Sequence, residues 1–202
     1  MLHHKIAYID ISTGEVKAEP IPQEWRRRYL GARGINMSLL HSCYPAVDPL
    51  SPRNPLIFGC GLLTGLPGFG SGRMNVTAYS PASGNLGDSN VGGHFGPELR
   101  FAGYDHLVIT GRSPHPAYIL ITDNKIEIKE ASHLWGMNTL ETQRALRREL
   151  REEKLRVLTI GPAGERGVRM ASIMTGPKDA AGRFGMGAVM GSKNLKAVAV
   201  RG

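Results

Sequence analysis

The segment AAGRFGMGAVMGSKNLKAVAVRG, residues 180–202, sets one arginine, Arg183, between Gly182 and Phe184-Gly185, ahead of a run of small residues and an apolar tail. A similar arrangement precedes it in SNVGGHFGPELRFAGYDHLVITG. Gly93, Phe95 and Gly96 there match Gly182, Phe184 and Gly185, each 89 positions later. Glycines ahead of a helix suit one chemistry in particular. The first turn of a helix has N–H groups without partners and carries the positive end of the dipole. Glycines let an anion, most often a phosphate, approach that end closely. Taken singly, either loop could instead serve only tight turns and close helix–sheet packing. Two matched loops in a chain of formal net charge +8 favour anion binding. The spacing fits neither a dinucleotide-binding glycine fingerprint nor a phosphate-binding loop ending in Lys-Ser or Lys-Thr.

No catalytic constellation accompanies these loops. His94 lies in VGGHFG with no acid or nucleophile that the sequence pairs with it, and reads as structural. His3, His4, His41, His106, His115 and His133 are scattered. Cys43 and Cys60 are the only cysteines, and they form no Cys-x-x-Cys. That excludes a zinc or iron–sulfur site held by this sequence alone and predicts two free, buried thiols. Asp88 and Asp179 precede the glycine loops, where they are expected to cap them. Trp25 and Trp135 are expected in the core.

The remaining charge is spread along the chain. Arg26, Arg27 and Arg28 form a run, and Arg144, Arg147, Arg148 and Arg151 alternate with glutamates in LETQRALRRELREEK. The latter pattern predicts a solvated helix face laced by ion pairs three and four residues apart, not a nucleic-acid stripe. With no nucleic-acid motif present, nucleic acid is not an expected partner. No apolar run approaches the ~20 residues needed to cross a bilayer. MLHHKIAYID runs directly into a strand pattern without a signal peptide, so a cytoplasmic location and no membrane contact are expected.

The elements that must position the loops follow from periodicity and punctuation. KIAYIDISTGEVKAEPIP and AYILITDNKIEIKE read as hairpins, the second turning at Asp123-Asn124. QEWRRRYLG and INMSLLHSCY read as two helices, HFGPELRFAG as a short one. NTLETQRALRREL is the clearest helix, with Asn138 as cap and Glu141 completing a capping box. LIFGCG, RMNVTAYS, HLVITG, RVLTIG, VRMASIM and KAVAVR read as strands, and SPASGNLGDSNVGG as a long loop. The class is therefore α+β with mixed sheets. Residues roughly 55–111 and 155–202 share one order, strand, Arg-Met strand, glycine loop, small-residue helix, strand, which predicts an internally duplicated unit.

At DSNVGGHFGPELRFAGYD and AAGRFGMGAVMGSKNLKAVAVRG the chain resembles the N-terminal domain of the aldehyde ferredoxin oxidoreductases. VDPLSPRNPLIFGCGLLTG, FAGYDHLVITG, EIKEASHLWG and IGPAGE are similar to the same family, and the likeness covers residues 1–202 as one domain. The resemblance implies an α+β domain of two β-sheets on which a bis-pterin tungsten or molybdenum cofactor sits, its phosphates bridged by magnesium. It implies cofactor contacts from Arg73, Asn90, Gly92, Ala180, Gly182 and Arg183, with the backbone carbonyls of Asn90 and Ala180 as magnesium ligands. It also implies oxidation of aldehydes with ferredoxin as acceptor, a 4Fe–4S cluster in later domains, contacts with those domains, and a homodimer as a further candidate assembly. The present sequence does not include the cluster-binding and catalytic domains, so alone it is expected not to turn over aldehyde. Two departures stand out. Asp179 occupies a position where the family often has arginine, and Leu62 stands in GLLTG where the family has proline. An acid beside a phosphate should weaken binding unless Lys178 compensates. Two other readings therefore remain open: a scaffold or phosphate-binding domain that has lost the cofactor, and, more weakly, a basic nucleic-acid module.

Overall fold

The computed structural model describes residues 5–42, 47–123 and 125–202. The alternation in KIAYID and EVKAEP folds β1 (Lys5–Asp10) and β2 (Glu15–Pro20) into an antiparallel hairpin. Two helices follow, α1 (Gln23–Arg28) and α2 (Ala32–His41). Then come β3 (Leu56–Cys60), β4 (Met74–Tyr79), β5 (Leu86–Val91), α3 (Phe95–Phe101) and β6 (His106–Thr110). The chain then repeats this plan. A second hairpin, β7 (Ala117–Thr122) and β8 (Lys125–Glu130), leads to α4 (Thr139–Glu149), whose Asn138–Glu141 capping box is formed. After it come β9 (Arg156–Thr159), a short α5 (Pro162–Glu165), β10 (Ile173–Thr175), β11 (Asp179–Ala181), α6 (Met186–Ser192) and β12 (Leu195–Arg201).

The two six-stranded sheets run β2-β1-β6-β3-β4-β5 and β8-β7-β12-β9-β10-β11. The orders correspond strand for strand. In each, the hairpin's first strand lies parallel to the last strand of its half, and every other pairing is antiparallel. The fold is thus α+β with two mixed sheets, and the duplication spans the whole chain rather than only its two glycine-rich stretches. The repeated unit also holds one more strand than the sequence pattern indicates. β5 and β11 fall where loops were expected, because LGDSNV and DAA lack the β-branched alternation of a typical strand. Each is an edge strand with a single neighbour, and in β5 small Gly87 and Ser89 and apolar Val91 take the buried positions.

The 89-residue match between the two loops slips in three dimensions. α3 begins at Phe95 and α6 at Met186. Phe184 and Gly185 are left-handed, with φ 62° and 71°, and this kink extends the second loop before its helix.

Five layers result. α3 and α6 lie between the sheets, and Phe95, Leu99, Met186 and Val189 pack there with Phe58, Leu158 and Val198. Full burial of each such side chain contributes on the order of 1.5–3 kcal/mol. On one outer face α2 places Ile35, Leu39 and Leu40 over Ile6, Ile57 and Val108. On the other, α4 places Leu146 over Tyr118, Val157 and Ala197. Trp25 and Trp135 are half-buried at the margins rather than in the core. Cys60 is a free, buried thiol whose pKa burial raises; Cys43 lies outside the described residues.

One ion pair is sealed inside the second half. Lys196 of β12 and Glu165 of α5 are paired, with side-chain exposures of 0% and 5%. Burial lowers the Lys196 pKa, and Glu165 opposes that shift. Lys196 also donates to the Met137 carbonyl at 2.8 Å, and Glu165 accepts from the Gly136 N–H at 3.0 Å. Glu165→Ala leaves a buried ammonium without its counter-ion, so it should cost about 3–5 kcal/mol in denaturant unfolding. Adding Lys196→Met should restore most of that loss; a single-variant cost below ~1 kcal/mol would contradict the sealed pair.

Candidate functional site

The outer edges of the two sheets, β5 and β11, lie against each other, and no ladder pairs them. Two hydrogen bonds tie the halves here. The Arg183 N–H donates to Ser89 Oγ at 3.2 Å, and Ser80 Oγ donates to the Phe184 carbonyl at 2.8 Å. Gly87 has to be glycine for this approach, since a Cβ there would sit 2.8 Å from the Cβ of Phe184.

Between the edges opens a cleft of about 710 Å³, lined by Arg33, Arg73, Asn90, Ala180, Gly182 and Arg183, among others. Five of the six residues implied by the resemblance therefore converge, and Arg73 and Arg183 share one face. Gly92 lies just beyond the lining, beside Asp179. Asn90 and Ala180 also hold equivalent positions. The register runs Gly59–Asn75–Asn90 in the first sheet and Thr159–Met174–Ala180 in the second. Gly59 faces His106 of β6, as Thr159 faces Ala197 of β12. The cleft is built from strand edges; the first residues of α3 and α6 do not line it, which removes the helix-dipole argument for this site.

Each arginine is positioned by the fold beneath it. Arg73 ends a loop braced by Thr64, whose Oγ1 donates to the Arg73 carbonyl at 2.8 Å and accepts from the Gly61 N–H at 3.0 Å. Beneath that loop Arg100 is buried. Its Nη1 donates to the carbonyls of Gly61, Leu62 and Thr64 at 3.1, 2.9 and 2.6 Å, and its Nε pairs with Asp105 at 3.0 Å. Arg33 of α2 is a cleft residue that the sequence reading passed over. Its Nε donates to Asp88 Oδ2 at 2.7 Å. Asp88 therefore serves Arg33 and does not cap a helix; α3 and α6 have no side-chain cap. The signal for Arg33 was present in GARG, an arginine among glycines as in AGRFG.

A buried polar chain holds the cleft's first wall. Asn75 Nδ2 donates to Asp88 Oδ2 at 2.9 Å and to Asn90 Oδ1 at 3.0 Å. Asn36 Nδ2 donates to Asn75 Oδ1 at 3.1 Å, and Thr77 Oγ1 does so at 2.6 Å. Because the amide NH₂ of Asn36 is committed there, its Oδ1 accepts from His106 Nδ1–H at 2.8 Å. His106 is fully buried; that burial, aided by the Arg100 charge, pushes its pKa down to about 3. The imidazole is neutral.

The cleft is cationic. Three guanidiniums face one carboxylate, and that carboxylate is already engaged by Arg33 and Asn75. Asp179 does not face it. Its side chain rests against Gly92 and Gly93 and lines a neighbouring cavity of about 390 Å³. Arg144 and Arg147 line that same cavity and make no ion pair among the described residues, so the expected glutamate-laced face is not formed there. Arginines in such a cluster suit the binding of phosphates. Among the described residues the charged groups that line the cleft are Arg33, Arg73, Arg183 and Asp88.

Comparison with known proteins agrees with this fold. Residues 6–202 match the family described as aldehyde ferredoxin oxidoreductase, N-terminal domain. The chain is 49% identical over 195 residues to the tungsten-containing aldehyde ferredoxin oxidoreductase of Pyrococcus furiosus, covering 96% of this chain and 32% of that protein. It is 35% identical to an aliphatic sulfonate oxidoreductase, WOR-like subunit, of the same organism, covering 98% of this chain and 34% of that one. Among solved structures, the active-site complex BamBC of benzoyl coenzyme A reductase with 1,5-dienoyl-CoA matches with a TM-score of 0.97 at 40% identity, covering 100% of this chain and 31% of that one. The chain spans about a third of the length of these relatives.

The His106 chain generates a pH prediction. The folded pKa lies below the unfolded value, so the stabilisation is complete above pH ~6.5 and is lost as pH falls from there towards 3. Between pH 7 and pH 5 the loss from this residue should be about 2 kcal/mol. In His106→Gln the pH dependence of the unfolding free energy should shrink by that amount. An unchanged pH dependence would mean that His106 titrates normally in the folded protein.

Proposed function

This chain belongs to the aldehyde ferredoxin oxidoreductase N-terminal domain family, and we propose that it is the platform on which a bis-pterin tungsten or molybdenum cofactor is seated. The observation that carries this reading is the cleft uniting Arg73, Asn90, Ala180, Gly182 and Arg183 at the meeting edges of two equivalent sheets. Two similar walls suit two similar pterins. Arg73 and Arg183, joined by Arg33, would hold the pterin and phosphate groups. The backbone carbonyls of Asn90 and Ala180 would reach a magnesium ion between the phosphates, and Gly92 would contact one pterin from the rim. When bound, such a cofactor supplies a redox metal carried by its own dithiolene sulfurs. This chain's residues bind it, orient it and neutralise its charge.

The whole protein would be an oxidoreductase, oxidising aldehyde to carboxylic acid and passing electrons to ferredoxin through a 4Fe–4S cluster in the domains that follow. We place it in the cytoplasm; no helix among the described residues is long and apolar enough to cross a membrane. The relatives are named for an aldehyde, a sulfonate and a coenzyme A thioester, while this domain stays alike among them. That pattern supports a domain that seats the cofactor and leaves substrate choice to the others. The orientation of Asp179 towards the neighbouring cavity leaves the cleft basic, which favours this reading over a scaffold that has lost its cofactor.

Arg183 is exposed at the cleft, so as a mere surface residue its loss should change stability by less than ~0.5 kcal/mol. As a phosphate or pterin contact it makes charge-assisted hydrogen bonds worth ~1.5–3 kcal/mol each. In the full-length protein, Arg183→Ala should leave the melting temperature of the cofactor-free form nearly unchanged while reducing bound tungsten or molybdenum and pterin about tenfold or more. Normal metal and pterin content would remove Arg183 from the site.

A further inference from the structure

The cavity of about 390 Å³ beside the cleft has an unbalanced lining. Arg144 and Arg147 project from α4 and Arg156 from the start of β9, and Asp179 is the carboxylate in the same lining. None of the three arginines forms an ion pair among the described residues. Arg156 Nε is shut off from solvent and has no hydrogen-bond partner among the described residues. Arg147 spends its Nε on the Leu155 carbonyl at 3.1 Å. Its pKa is lowered by burial and by the Arg156 charge, with Glu153 opposing. A desolvated guanidinium N–H without a partner costs free energy, and two like charges close together add to that cost. An anion in the cavity offsets the like-charge cost, because guanidinium forks match the oxygens of a phosphate. The walls are firm enough for such a site: Gln143 clamps Gly176 by donating to its carbonyl at 3.2 Å and accepting from its N–H at 2.9 Å.

We propose that this cavity is a second anion site, separate from the cofactor cleft, that takes a phosphate group between Arg144, Arg147 and Arg156. Three guanidiniums against one carboxylate leave room for two negative charges, which is the charge of a phosphate near neutral pH. Leu140 and Pro177 give part of the wall an apolar surface. The phosphate can therefore be free or the head of a small organic phosphate.

The test is calorimetric titration of the cofactor-loaded, full-length protein with inorganic phosphate and, separately, with glycerol 3-phosphate. We expect one saturable site per chain. Tighter binding of glycerol 3-phosphate would assign the organic source, and equal or tighter binding of inorganic phosphate the free ion. Affinity should fall at least tenfold in Arg144→Gln and in Arg156→Gln, and stay within twofold in Arg28→Gln, a control on α1. Arg144 is exposed, so its substitution leaves the fold intact and keeps the test valid even if Arg156→Gln unfolds. Absence of saturable binding, or binding undiminished in Arg144→Gln, would overturn the proposal.

Discussion

Everything at the site depends on two sheet edges that meet without pairing. An exposed edge strand offers unpaired backbone groups to any passing strand. Here β5 and β11 lie against each other without pairing, while α3 and α6 fill the space between the sheets. No ladder joins the two edges, and Asn90 of one and Ala180 of the other line the cleft between them. Two serine hydrogen bonds and the missing side chain of Gly87 fix how closely the edges approach. Because the halves share one topology, the two walls present matching positions, Asn90 and Ala180, to whatever lies between them.

Buried polarity keeps that cleft in shape. The chain His106–Asn36–Asn75 crosses the first sheet beneath α2, and the Arg100–Asp105 pair lies under the loop that ends at Arg73. Such groups are costly to bury unless satisfied, and satisfied they admit few alternative arrangements. The neutral state of His106 follows from the same logic: a charge there would have no counter-ion and would face Arg100. The second half is braced differently, by Lys196 and Glu165. The duplicated topology is therefore stabilised by unrelated polar solutions in its two copies.

Much of this architecture is legible in the chain. Hairpins, the capped helix at Asn138 and the recurring Phe-Gly loops follow from periodicity and glycine placement. Family likeness then picked out Arg73, Asn90, Gly92, Ala180, Gly182 and Arg183, and all but Gly92 line one cleft. The extent of the duplication was hidden because the two hairpins share only a generic alternation, and α2 and α4 have unlike sequences. β5 and β11 were hidden because edge strands carrying glycine, serine and alanine look like loops. Asp88 misled because its spacing suits a cap, while its partner Arg33 lies 55 residues away. Arg144 and Arg147 misled for a related reason. Local spacing offered them glutamates, but the return of the chain into β9 sets Arg156 among them instead. Long-range juxtaposition of charge leaves no trace in local spacing.

The central claim is that the cleft between β5 and β11 seats the cofactor. The most direct measurement is an anomalous-difference map, at a tungsten or molybdenum absorption edge, of crystals of the full-length protein. The account predicts a single heavy-metal peak per chain above the cleft, on the face that carries Arg33, Arg73 and Arg183 and between the walls of Asn90 and Ala180. A peak seated elsewhere, in the basic cavity beside Asp179 or against α1 and α2, would contradict it.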